Sequence, residues 1–148
     1  MFKNKLISGL LIVAALMLTS GCAVNRTSAS LTPGADLTKV KTAYVVKLAK
    51  DERNINELIK TKLEKKGYAV TTGPEMPLPY KADVAVTYAD KWMWDITMYM
   101  LELTITVRDP ASSFPMAVGN SFHTSLTRKS PGEMVDEVLA NILSAPKQ

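Results

Sequence analysis

The sequence predicts an α+β fold: a two-layer sandwich whose mostly antiparallel sheet carries two helices on one face, in the order β-α-β-β-β-β-α. Three observations predict it. Two segments, 51–66 and 131–143, space their apolar residues as one helical stripe. The segments 82–90 and 99–108 alternate apolar and polar residues, the pattern of strands with one face in water. The 148 residues are 47% apolar and 22% charged, which suits one core, is too short for two large domains and too apolar for disorder throughout. Amphipathic helices and a half-polar sheet are jointly satisfied when the helices cover a single sheet face.

Each element has a local cause. Ala43-Tyr44-Val45-Val46-Lys47-Leu48 is β-branched and aromatic, and reads as the first strand. Asp51 to Lys66 then changes period: Ile55, Leu58, Ile59 and Leu63 share one helix face, with Asp51 to cap the start and Gly67 to close the end. Tyr68 to Thr72 is a short second strand. The three prolines of Gly73 to Pro79 make a loop, because proline supplies no ladder donor. In the third strand Ala82, Val84, Val86 and Tyr88 share a face. In the fourth, Tyr99, Leu101, Leu103, Ile105 and Val107 face the core, opposite Met100, Glu102, Thr104, Thr106 and Arg108. After a turn at Asp109 to Ser113, the fifth strand, Met116 to Leu126, is expected to point Met116, Val118, Phe122 and Leu126 inward. Ser130-Pro131-Gly132-Glu133 matches a capping box with proline at the first helical position. The helix that follows carries Val135, Val138, Leu139, Ile142 and Leu143 on one stripe, and Pro146 stops it.

The N-terminus carries an address. Lys3 and Lys5 precede an apolar run from Leu6 to Leu18, the charged and apolar regions of a secretory signal. The run falls short of the roughly 20 apolar residues that span a bilayer. It ends in Leu18-Thr19-Ser20-Gly21-Cys22-Ala23, which resembles the bacterial lipobox with its leucine displaced by one position. That resemblance implies acylation of Cys22, the only cysteine of the chain, and cleavage before it. Ala23, rather than Asp, after the cysteine implies sorting to the outer membrane. Residues 1–21 are therefore expected to be a signal peptide, 22–38 a lipidated cysteine with a flexible Ser/Thr/Pro-rich tether reaching about 50 Å, and 39–148 one globular periplasmic domain. Loss of residues 1–21 takes Lys3 and Lys5 with it and lowers the net charge from +4 to +2. That excess is too small, in that compartment, to imply nucleic-acid binding.

The strand Asp83-Val84-Ala85-Val86-Thr87-Tyr88, followed by Trp94-Asp95 and Tyr99, is similar to a family of small proteobacterial lipoproteins of unknown function. The resemblance implies a lipid-anchored envelope domain and transfers no catalytic residue. The element order also resembles periplasmic modules that plug a lipopolysaccharide-assembly barrel, activate a penicillin-binding protein, or precede the Tol-system propeller. What that likeness implies is a protein partner.

Chemistry is sparse. One cysteine and one histidine permit no internal disulfide and no paired-ligand metal spacing, so no metal or cofactor is expected. His123 falls, in the expected register, on the polar sheet face beside Ser121 and Ser125. It reads as a solvated histidine or, alternatively, as the base of a hydrolase, although no nucleophile elbow accompanies it. Asp83 and Glu102 could approach across strands, but a flat sheet gives paired acids no cleft. The unusual stretch is Lys91 to Met100, with both tryptophans and three methionines. Trp and Met serve equally to close a core and to form an interface. The expected function is a non-catalytic, lipid-anchored interaction module with an envelope protein partner. Its candidate contact residues are Trp92, Trp94, Asp95, Tyr99, Thr104 and His123. The alternative is a binder of a lipid, lipopolysaccharide or peptidoglycan fragment at the Trp92–Met100 edge.

Overall fold

The structure, a computed structural model, describes residues 24–146. The expected signal peptide and Cys22 lie outside the described residues. The elements are β1 (Asn25–Leu31), β2 (Thr42–Val46), α1 (Ile55–Lys65), β3 (Ala69–Gly73), β4 (Val84–Asp95), β5 (Thr97–Arg108), β6 (Pro115–His123), a short 3-10 turn at Ser125–Thr127, and α2 (Pro131–Ser144). They form one six-stranded mixed sheet in the order β1-β6-β5-β4-β2-β3. The α+β sandwich is as expected. Both helices pack on the same face and touch each other.

The core lies between that face and the helices. Val45, Val86, Leu103 and Ile105 of the sheet meet Ile59 of α1 and Val135, Val138, Leu139 and Ile142 of α2, all of them buried. Each such side chain contributes about 1.5–3 kcal/mol on leaving water. The helix ends follow their sequence signals. Ser130 and Glu133 form the reciprocal capping box of α2, with Ser130 N–H donating to Glu133 Oε2 at 2.8 Å. At the end of α1, Gly67 takes φ +97°, and the N–H groups of Gly67 and Tyr68 return to the carbonyls of Glu64 and Leu63. Helix α1 starts at Ile55, later than expected, after Asn54 at φ 56°, and Tyr88 on β4 donates to the Asp51 side chain at 2.7 Å. From there Asp51 caps at a distance, accepting from the N–H groups of Arg53 and Asn56.

Strand β2 runs parallel to both β3 and β4, while the other pairings are antiparallel. Parallel neighbours on either side of β2 need two crossovers. Helix α1 makes the first, on the inner face. The Pro-rich loop makes the second and builds a small outer cluster, in which Tyr80 stacks on Tyr44 with centroids 5.0 Å apart, above Val46 and Ala85.

Three expectations are corrected. The tether does not extend over 22–38: Asn25 to Leu31 form edge strand β1, paired along its length with β6. Its small polar side chains hid a strand that closes β6's hydrogen-bond ladder and sends only Ala29 and Leu31 to the core. Strand β6 is turned over: Ala117, Gly119, Ser121 and His123 face inward, Val118 and Phe122 do not, and Leu126 lies past the strand end and is exposed, while Met116, at the bulge opposite Arg108, packs against the core as expected. The cause is α2, which crosses β6 so closely that a Cβ on Gly119 would lie 2.7 Å from Ile142 Cγ1 and 2.8 Å from Val138 Cγ1. Met100, placed on the polar face by alternation, is wholly buried. The β4–β5 register pairs Lys91 with Glu102 but Trp92 with Met100, so Leu101 is an extra residue and the faces of β5 exchange there.

Gly119→Val is therefore expected to lower the free energy of unfolding by about 2 kcal/mol or more. Val118→Ala, on the opposite face, should cost under about 1 kcal/mol. Urea titrations of the two variants check this, and equal midpoints would contradict the close helix crossing.

Candidate functional site

The Lys91–Met100 stretch is a projecting hairpin. Beyond Glu102, β5 pairs only with β4, so the end of this hairpin is a two-stranded ribbon standing clear of the sheet. Its two tryptophans share a strand face but have different surroundings. Trp92 packs against the core, with the Arg53 guanidinium 4.1 Å above its ring and its indole N–H donated to Asp90. Trp94, one pleat further out, is past the helices and 69% exposed. Met93 and Met98 are also exposed. Ile96, at the apex between Asp95 and Thr97, is 87% exposed and adopts φ 59°. A β-branched residue in that left-handed region costs about 1–2 kcal/mol, where Gly or Asn would be ordinary.

Arg128 braces the ribbon. Its guanidinium lies 4.8 Å from the Tyr99 ring centroid, donates to Thr97 Oγ1 at 2.8 Å and Ser125 O at 2.9 Å, and comes within 3.9 Å of Asp95. Tyr99 is buried beneath it. Of the expected contact residues on this stretch, Trp94 and Asp95 are exposed, whereas Trp92 and Tyr99 hold the ribbon's base. Arg128 and Ile96 were not anticipated. The signal for Ile96 was a lone apolar residue between Asp95 and Thr97, where a turn residue belongs.

Thr104 is on the sheet face that the helices leave open, as expected. It accepts from Asn120 Nδ2 at 2.9 Å, and the same amide donates to Glu102 at 3.0 Å. Lys91 reaches Glu102 at 2.7 Å. The Lys91 hydrogen bond, then that of Asn120, holds the Glu102 carboxyl below its ordinary range. Nearby, Arg108 Nε donates to Thr87 Oγ1. Asp83 is not part of this network: it accepts from the N–H groups of Lys41 and Thr42 at the start of β2.

His123 is not on that face. It is 1% exposed and points at α2, where its Nε2 lies 2.8 Å from Glu137 Oε2. Ser121 Oγ donates to the same oxygen at 2.6 Å, and Lys129 Nζ to Oε1 at 2.7 Å. Burial pushes the Glu137 carboxyl up. The hydrogen bonds from Lys129, Ser121 and His123 overcome that and bring its pKa down to about 2. Serine and histidine thus meet one carboxylate oxygen rather than each other, beneath a helix. The arrangement is a polar clamp between β6 and α2, with no nucleophile–base pair open to a substrate. Sequence reading missed Glu137 and Lys129 because Ser121 and His123 were assigned to the opposite face.

No protein-family model and no curated protein matches the chain. Solved structures do. A variant of the PelC dodecamer from Paraburkholderia phytofirmans aligns over 84% of this chain and 100% of that one, with TM-score 0.59 and 14% identity. The PelC dodecamer from the same organism in space group P6 gives TM-score 0.58 and 12% identity over 83% and 100%. TolB from Acinetobacter baumannii aligns over 80% of this chain but 31% of its own, with TM-score 0.45 and 15% identity. At these identities the PelC likeness is one of fold.

Two outcomes follow from this geometry. Glu137 holds fewer protons folded than unfolded, so its stabilisation is complete above its ordinary value of 4.5 and is lost as pH falls toward 2. Glu137→Gln should reduce stability at pH 7 by about 2 kcal/mol and flatten the acid limb between those values, leaving the slope owed to other carboxylates such as Glu102. Denaturation across pH checks it. Ile96→Asn should stabilise the domain by about 1 kcal/mol, since Asn tolerates the left-handed region; a lowered melting temperature would contradict the assignment.

Proposed function

We propose that the chain is a lipid-anchored, non-catalytic interaction module of the cell envelope, held by acyl groups on Cys22 at the periplasmic face of the outer membrane, whose helix-free sheet face receives a protein partner. The observation that carries this reading is the state of that face. Thr104, Asn120, Glu102 and Lys91 are already joined by hydrogen bonds, so little side-chain freedom is left to lose when a partner docks. The anchor reading rests on the lipobox-like Leu18 to Ala23. Likeness of fold to a chain solved as a dodecamer supports a second copy as one such partner.

A second reading, an amphiphile bound along the Trp92–Met100 edge, is favoured by the exposure of Trp94. The two readings use different surfaces and separate cleanly. A photoreactive residue at Thr104 is expected to give a discrete adduct, with an envelope protein or with a second copy, in cells. A photoreactive residue at Trp94 tests the edge. Adducts at Trp94 with none at Thr104 would sink the leading reading. Cys22→Ser should abolish palmitate labelling and release the protein from the membrane fraction; unchanged labelling would remove the anchor.

A further inference from the structure

We infer that the tip of the β4–β5 hairpin is a second, non-covalent membrane contact, inserted into the same leaflet that receives the Cys22 acyl chains. The inference rests on the anchor proposed above and adds a site to it. Its basis is strand register. Asn25, the first residue of β1, pairs with His123, the last of β6, and Phe122 pairs with Glu102 of β5. The start of β1 and the hairpin tip are therefore at the same end of the sheet. From the level of Asn25 the ribbon runs on from Glu102 to Thr97, about 15 Å. Cys22 precedes Asn25 by three residues, which span at most about 11 Å. The domain cannot stand off on a long tether, because the expected tether is β1. When Cys22 is at the membrane surface, the tip is at or past that surface.

The chemistry of that end agrees. Among the described residues, eleven large apolar side chains are markedly exposed, and six of them are here: Val24, Met93, Trp94, Ile96, Met98 and Leu126. Val24 O accepts from Thr124 N, which places it beside the turn that carries Leu126. Scattered exposed apolar residues are ordinary, but a cluster at one end is not. Ile96 adds a second cost, because its backbone conformation is one that isoleucine avoids. Water rewards neither the exposure nor the strain; a bilayer interface rewards the first. Trp is suited to the headgroup boundary, where its ring is buried and its N–H stays wet. Asp95 and Arg128, 3.9 Å apart, set the depth: they stay at the headgroups while Trp94 and Ile96 go below.

The test uses the full-length protein matured in a bacterium and reconstituted into phosphatidylethanolamine–phosphatidylglycerol vesicles that contain a lipid brominated high on its acyl chains. Wild-type tryptophan emission should shift to the blue and be quenched. Trp94→Phe should lose most of that quenching, since Trp92 is enclosed between the core and Arg53. Ile96→Asn/Met98→Ser should fold normally by circular dichroism and show weaker quenching. Quenching of wild type no greater than that of Trp94→Phe, on protein shown by mass to be acylated, overturns the inference and leaves the anchor standing. Quenching on protein without acyl groups on Cys22 keeps the hairpin contact and removes the anchor. Trp94 already shielded from acrylamide in detergent-free solution, and unquenched on vesicles, means that a second copy covers the tip and also overturns it.

Discussion

The crossing of α2 over β6 sets most of what is distinctive here. Close approach of a helix to a strand requires small residues beneath it, and Gly119 provides the place where Val138 and Ile142 settle. Further along the same face Ser121 and His123 would be an uncompensated polar intrusion. Glu137 descends from α2 to meet both, and Lys129 completes the neutralisation from the segment before the helix. A half-buried carboxylate with three donors is tolerated because Ser121 and His123, both buried, would be costly without it. The clamp therefore fixes the rotation of α2 on the sheet as well as its distance.

That placement reaches the surface. The segment that leaves β6 must turn back to begin α2 at Ser130, and its path carries Arg128 over Tyr99 at the base of the projecting ribbon. A two-stranded ribbon is marginal by itself. Here it is held by Arg128 on Tyr99 and by Arg53 on Trp92, two cations on aromatic faces supplied by segments far apart in sequence. The rigidity of an exposed apolar tip is thus a consequence of core packing.

The two sheet faces divide the labour. The inner face is covered by the two helices as far as the base of the ribbon. The outer face is covered near β2 by the Pro-rich crossover with its Tyr44–Tyr80 stack and left open near β5 and β6, where Lys91, Glu102, Thr104 and Asn120 form a flat, ordered, polar surface. With the anchor proposed at one end, the apolar tip beside it and the polar face at right angles to both suit a domain that is oriented on a membrane and presents one side to a partner.

Periodicity by itself determined the helices, the capping box of α2, the alternation of β4 and of β5 from Leu103 on, and the α+β class, because those features depend on residues within one or two turns of each other. Composition also marked Lys91 to Met100 as unusual. Tertiary structure alone decided which way β6 faces, since its sequence, Pro115 to His123, sets Val118 and Phe122 against the smaller Ala117, Gly119 and Ser121, and only the footprint of α2 makes the small residues the inner ones. It decided that Met100 is core, because one extra residue at Leu101 reverses every side chain beyond it. It decided that Asn25 to Leu31 is a strand, because an edge strand draws its stability from a neighbour's backbone, and backbone hydrogen bonding leaves no trace in side-chain composition.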